Sequence, residues 1–108
     1  MLQVAAYCRV STDKEDQANS FEAQQRYFRE YIQRQPDWVL QGIYADEGIS
    51  GTSTRKRVEF NKMLHAAELG QIDLIVTKEV SRFTRNTVDA LQITRELRRR
   101  GVGVLFLN

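Results

Sequence analysis

The sequence predicts an α/β fold, a three-layer α/β/α arrangement in which a mainly parallel sheet of about four strands carries helices on both faces. Three observations predict it. Strand-like and helix-like segments alternate along all 108 residues, and the run Ile72 to Thr77 is nearly all apolar, as in a strand buried on both faces. Gly70 and Gly101 each end a helical pattern just before a strand-like run.

Leu2 to Val10 reads as the first strand, with Leu2, Val4, Ala6, Cys8 and Val10 on one face and Gln3, Ala5, Tyr7 and Arg9 on the other. The same register puts Ser11 on the Arg9 side. A polar run, Thr12 to Asn19, forms a loop, and Asn19 with Glu22 resembles a capping box that starts a helix. Its inward stripe is Phe21, Gln24, Phe28, Tyr31 and Ile32, and Pro36 with Asp37 ends it. Trp38 to Ala45 is rich in strand-forming residues, with Asp46 at its end. Glu47 to Arg57, with two glycines and a Thr/Ser cluster, is the longest loop and the best candidate for a mobile one. A helix over about Val58 to Leu69 turns Phe60, Met63, Leu64 and Ala67 inward. After the Ile72 to Thr77 strand, Lys78 to Asn86 is a loop or helix start. Thr87 to Arg100 is helical, with Val88, Leu91, Ile93 and Leu97 offering apolar contact, and Val102 to Leu107 is the fourth strand.

Composition bounds the function without naming it. A chain of 108 residues is one small domain, able to remove roughly two thirds of its unfolded surface from water. The net charge of +2 is mild and no basic run holds DNA by charge alone, so tight DNA binding by this chain by itself is not expected. One cysteine excludes an internal disulfide, and no apolar stretch is long enough to span a bilayer. Nothing at Met1-Leu2-Gln3 suggests a secretion signal, so a cytoplasmic location is expected. The sequence stops at the end of a strand, which is expected of a fragment of something longer.

In a sheet of this kind ligands collect at the carboxyl ends of the strands, here marked by Ser11, Asp46 and the loop of Arg82 and Arg85. A serine is a weak nucleophile without a base, and the single histidine, His65, falls in the second helix far from every strand end. A Ser-His-Asp hydrolase is therefore disfavoured. Cys8 points away from Arg9 and reads as a buried structural thiol, and Lys14 stands where a phosphatase loop needs an arginine. Asp46, Glu47 and Asp73 lack metal-ligand spacing, so no metal and no cofactor is expected. What remains is a serine among arginines, which suits phosphoryl transfer: catalysis there is mostly positioning and charge stabilisation, and a guanidinium grips two oxygens in a planar fork. Arg9 lies beside Ser11, Arg82 and Arg85 are spaced to point the same way on a helical turn, and Arg57 closes the long loop. Gln24 is an amide in an otherwise apolar stripe and must find polar partners. Arg95, Arg98, Arg99 and Arg100 read as a solvated helix end complementing the macrodipole.

Taken together, these residues resemble the catalytic domain of the serine recombinases, the family of resolvases, invertases and large serine integrases. Tyr7-Cys8-Arg9-Val10-Ser11-Thr12 resembles its nucleophile motif and Phe21-Glu22-Ala23-Gln24 the helix bearing its glutamine. Tyr44-Ala45-Asp46-Glu47-Gly48-Ile49-Ser50-Gly51 resembles its aspartate and loop. Arg57 through Phe60 resembles its following arginine segment, and Ser81-Arg82-Phe83-Thr84-Arg85-Asn86 its second arginine motif. Small resolvases carry an aspartate where this chain has Ser81, which makes it more similar to the large serine recombinase branch of integrases and transposases.

The resemblance implies that Ser11 attacks a DNA phosphodiester, leaving a 5′-phosphoserine and a free 3′ hydroxyl. It implies that Arg9, Arg57, Arg82 and Arg85 hold the scissile phosphate while Gln24 and Asp46 orient the site. Neither metal nor ATP is implied, because exchanging one phosphate ester for another conserves the bond energy. The expected partners are double-stranded DNA and further copies of the protein, as dimer or tetramer, in a full-length form. The family's oligomerisation helix and DNA-binding region are expected to lie outside residues 1–108, leaving the fragment unable to complete recombination. Two other readings stay open: a non-catalytic α/β module that binds a nucleotide or phosphate at the same edge, and an assembly domain of a larger DNA enzyme.

Overall fold

The computed structural model describes residues 1–10, 20–47, 58–78 and 87–107. The order of elements is β1 (Leu2–Val10), α1 (Phe21–Gln33), β2 (Trp38–Glu47), α2 (Val58–Glu68), β3 (Leu74–Thr77), α3 (Thr87–Arg99) and β4 (Gly103–Phe106). All four strands are parallel, in the order β2-β1-β3-β4. The chain steps one way from β1 to β2 and the other way afterwards, so right-handed crossovers put α1 on one face and α2 with α3 on the other. This is the expected three-layer architecture.

Alternation along β1 builds both halves of the core, as its sequence predicts. Val4, Ala6, Cys8 and Val10 pack with Phe28 and Ile32 of α1, while Ala5 and Tyr7 pack with Phe60, Met63, Ala67 and Leu97 from the other helices. A β-bulge interrupts the β1–β2 pairing: Val4 faces Leu40 but Ala5 faces Gly42, leaving Gln41 extra. Leu40 and Ile43 consequently both pack on the α1 side, and Tyr44 packs on the α2 side. An uninterrupted strand would have turned Leu40, Tyr44 and Asp46 to one face.

Several expectations are corrected. The helix α1 is capped by Ser20, whose hydroxyl accepts from the amide of Ala23 at 3.2 Å, not by Asn19, which lies outside the described residues. Phe21 is 47% exposed although it falls on the inward stripe. Gln24, one turn later, already sits at the sheet's edge, so the first turn overhangs it. Leu91 is 52% exposed and lines a groove beside the edge strand β4 with Val104, where no further described strand covers it. β2 extends through Asp46 to Glu47, because both pair with β1. Ile72 and Val102 are buried but precede their strands, and Gly70 and Gly101 hold positive φ of 77° and 81° at the ends of α2 and α3, as glycine readily does. Ala66, outside the expected stripe of α2, is buried as well.

Candidate active site at the carboxyl edge of the sheet

The strand order reverses at the β1/β3 pair, the place where parallel α/β sheets open a crevice for ligands. Val10 pairs with Glu47, so β1 and β2 end together, and Ala6 pairs with Val76, so β3 ends against β1 three residues before Val10. Three segments attach there: 11–19 after Val10, 48–57 after Glu47 and 79–86 after Lys78. They carry Ser11, Arg57, Arg82 and Arg85, all of which lie outside the described residues. The described part of the candidate site is Arg9, Gln24 and Asp46.

Asp46 is the best-anchored of the three. It is buried, and its Oδ2 accepts from the Tyr7 hydroxyl at 2.9 Å and from the Phe60 amide at 3.1 Å. Its Oδ1 accepts from the Glu59 amide at 3.0 Å. These amides belong to the first turn of α2, which has no partner for them within the helix, so a carboxylate from a neighbouring strand caps the helix and complements its dipole. Tyr7 also meets Phe60 edge-on, with ring centroids 5.0 Å apart. Asp46 thus stands just before segment 48–57 and grips the chain just after it. Both ends of the segment that carries Arg57 are tied to β1.

We expect Asp46→Ala to destabilise the domain by about 3–5 kcal/mol, because three donors, two of them in buried bonds and one in a part-buried bond, lose this acceptor together. Tyr7→Phe removes one donor and should cost about 1–2 kcal/mol. Urea unfolding of both single variants and the double variant checks this: the two losses must fall short of adding, since they share a bond. Strict additivity would show that the hydroxyl and the carboxylate act independently.

Arg9 is the Cα partner of Asp46 across β1 and β2 and lies on the same side of the sheet as Tyr7. It is half-buried, and among the described residues its Nε has no hydrogen-bond partner. Gln24 is buried on the opposite, α1 side, yet it lines the same narrow cleft as Arg9, Thr77 and Lys78. The structure therefore brings Arg9, Asp46 and Gln24 to one edge, with Gln24 approaching from the other face. Thr77 is fully buried in that cleft, and its Oγ1 also lacks a partner among the described residues. Sequence reasoning gave no role to Tyr7, Thr77 or Lys78. Only Tyr7 carried a usable signal, since alternation puts it on the face of Arg9.

The residues set aside in the sequence behave as expected. Cys8 is buried and its thiol is pushed up to about 12, first by burial and then by the negative charge of Asp46, with Lys78 opposing; a thiol so protonated is no nucleophile near neutral pH. His65 is 71% exposed on α2, with Nδ1 4.0 Å from Glu68. Arg99 and Arg100 pair loosely with Glu96 at the end of α3, and Arg100 reaches Glu68, at the amino edge of the sheet. Asp73 also sits at that edge, where its Oδ2 accepts from the Gln3 amide at 2.8 Å. Among the described residues no helix is long and apolar enough to cross a membrane.

Fold and edge together define a doubly wound α/β domain with a cationic, half-buried arginine at its switch point. The chain belongs to the family described as Resolvase, N terminal domain, whose model matches residues 4–108. Its structure is similar to a resolvase family site-specific recombinase from Streptococcus pneumoniae, with 29% identity and a TM-score of 0.79 over 99% of this chain and 72% of that one. It is also similar to the C-terminal catalytic domain of ISC1926 TnpA, an IS607-like serine recombinase, at 21% identity and a TM-score of 0.81, covering 98% of this chain and 69% of that one. For the N-terminal catalytic domain of TP901-1 integrase the identity is 23% and the TM-score 0.80, covering 98% and 77%. The last two likenesses bear on the fold alone. No curated protein matches the chain.

Proposed function

We propose that this domain is the catalytic unit of a site-specific serine recombinase and that Ser11 is its nucleophile. Ser11 Oγ bonds to the phosphorus of a DNA phosphodiester, and the bond from phosphorus to the 3′ oxygen breaks. The products are a 5′-phosphoserine linkage and a 3′ hydroxyl that takes up a proton. The reverse attack, by the 3′ hydroxyl of an exchanged strand, reseals the DNA. The ester energy is held in the phosphoserine throughout, so the reaction uses neither ATP nor metal.

The observation that carries this reading is the convergence of three strand ends at one edge, with Arg9 and Asp46 paired there and the chain leading directly to Ser11, Arg57 and the Arg82/Arg85 segment. Arg9, Arg57, Arg82 and Arg85 hold the scissile phosphate, in the role guanidinium forks serve in phosphoryl transfer. Asp46 acts as a positioning residue through α2, and Gln24 orients the cleft from the other face. Residues 1–108 supply the chemistry, and complete recombination needs assembly into a dimer or tetramer on double-stranded DNA, in the cytoplasm. Ser81, in place of an aspartate, supports the large serine recombinase branch.

The direct test is to trap the intermediate. Incubation of the active protein with its recombination-site DNA, followed by denaturation and digestion, is expected to yield a single nucleotide-linked peptide containing Ser11, joined through a 5′ phosphate. Linkage at another residue, or through a 3′ phosphate, would overturn the assignment.

A further inference from the structure

Lys78 is a cation at the functional edge to which nothing above assigns a task. It directly follows Thr77, at the end of β3 and one residue before segment 79–86, and it is half-buried. Its ammonium lies 4.5 Å from the ring centroid of Tyr27 on α1. The ion pairs of the described residues engage Lys62, Arg99 and Arg100 but not Lys78. Tyr27 in turn stacks on Tyr31, with centroids 6.4 Å apart, and Tyr31 meets Trp38 at 6.1 Å, so the ring under the ammonium is backed by a row of aromatics.

The Lys78 ammonium therefore stands at the rim of the β1/β3 crevice, held by a contact weaker than a charge-assisted hydrogen bond to an anion. It flanks the crevice from the α1 side, whereas Arg9 flanks it from the α2 side, and both line the same cleft. We propose that Lys78 binds a non-scissile backbone phosphate of the DNA strand that crosses this edge, leaving the Tyr27 ring as it does so. The inference rests on the recombinase reading. An arrangement on the opposite face from Arg9 and the expected side of Ser11 makes this contact a matter of DNA binding rather than of the chemical step.

The test titrates the isotope-labelled 108-residue chain with a short DNA duplex at low salt. In the free chain the ε-methylene protons of Lys78 are expected upfield, shifted by the Tyr27 ring current. Duplex should return them to ordinary positions and move the Arg9 Nε signal as well. Lys78→Met should weaken duplex binding on the order of fivefold near 0.1 M salt and lower the slope of log K against log salt by about 1. Lys78→Arg should restore both, and Arg99→Gln, at the opposite edge, should change neither. In the trapping assay Lys78→Met should raise KM for DNA while leaving kcat unchanged.

Movement of Arg9 without movement of Lys78 and Tyr27, or an unchanged salt slope in Lys78→Met, would overturn the Lys78 contact and leave the recombinase reading intact. Absence of the Ser11 adduct in the wild-type protein would instead remove the reading on which it rests. If duplex moves neither Arg9 nor Lys78, the contact is overturned as well.

Discussion

Ser11→Ala is expected to abolish the covalent protein–DNA adduct and to lower strand cleavage at least about a thousandfold, because a methyl group offers no oxygen to attack phosphorus. The fold should be unaffected. Ser11 follows Val10, the last residue of β1, so the substitution falls after the paired strand and the buried side chains that it contributes to the core. Thermal unfolding of the variant should therefore match that of the parent, while the adduct band disappears from denaturing gels. Cleavage at the parental rate with alanine in place would reject Ser11 and return the domain to the phosphate-binding or assembly readings.

Arg82→Lys and Arg85→Lys should each slow cleavage by about a hundredfold or more while leaving DNA binding nearly intact. Lysine keeps the charge, so the long-range attraction to phosphate survives; what goes is the planar fork that meets two non-bridging oxygens as charge develops on them. Single-turnover cleavage at saturating DNA separates the two contributions. The loss belongs in the rate of the chemical step, in contrast to the Lys78 variant, whose loss belongs in binding. Two variants that cleave normally would remove the phosphate-clamp role from the second arginine motif.

The fold was legible because the signals were local and mutually consistent. The strict alternation of β1, the apolar run that became β3, and the glycines at 70 and 101 each act over a few residues, and each agrees with the layer arrangement. The errors came where local pattern met the border of the sheet. Phe21 and Leu91 sit on correct helical stripes, but a stripe buries only what has a strand beneath it. The candidate site was legible as residue types at strand ends, and the structure pairs Arg9 with Asp46 across β1 and β2 and sets Arg9 and Gln24 along one cleft. Its internal wiring was not. That Asp46 caps α2 and binds Tyr7 depends on a register between strands about 40 residues apart, and no short-range pattern carries that information.

The additional residue at Gln41 has a reach well past its own neighbourhood. Parity along a pleated ribbon is conserved until something resets it, and here the reset happens five positions upstream of the carboxylate. Were Gln41 to join the ladder as an ordinary paired residue, Asp46 would turn toward Phe28 and Ile32, the amides of Glu59 and Phe60 would lose their acceptor, and the stretch that ends in Arg57 would lose its anchor. A change of strand pairing far from any reacting atom would thus disarm this edge more sharply than most substitutions made within it.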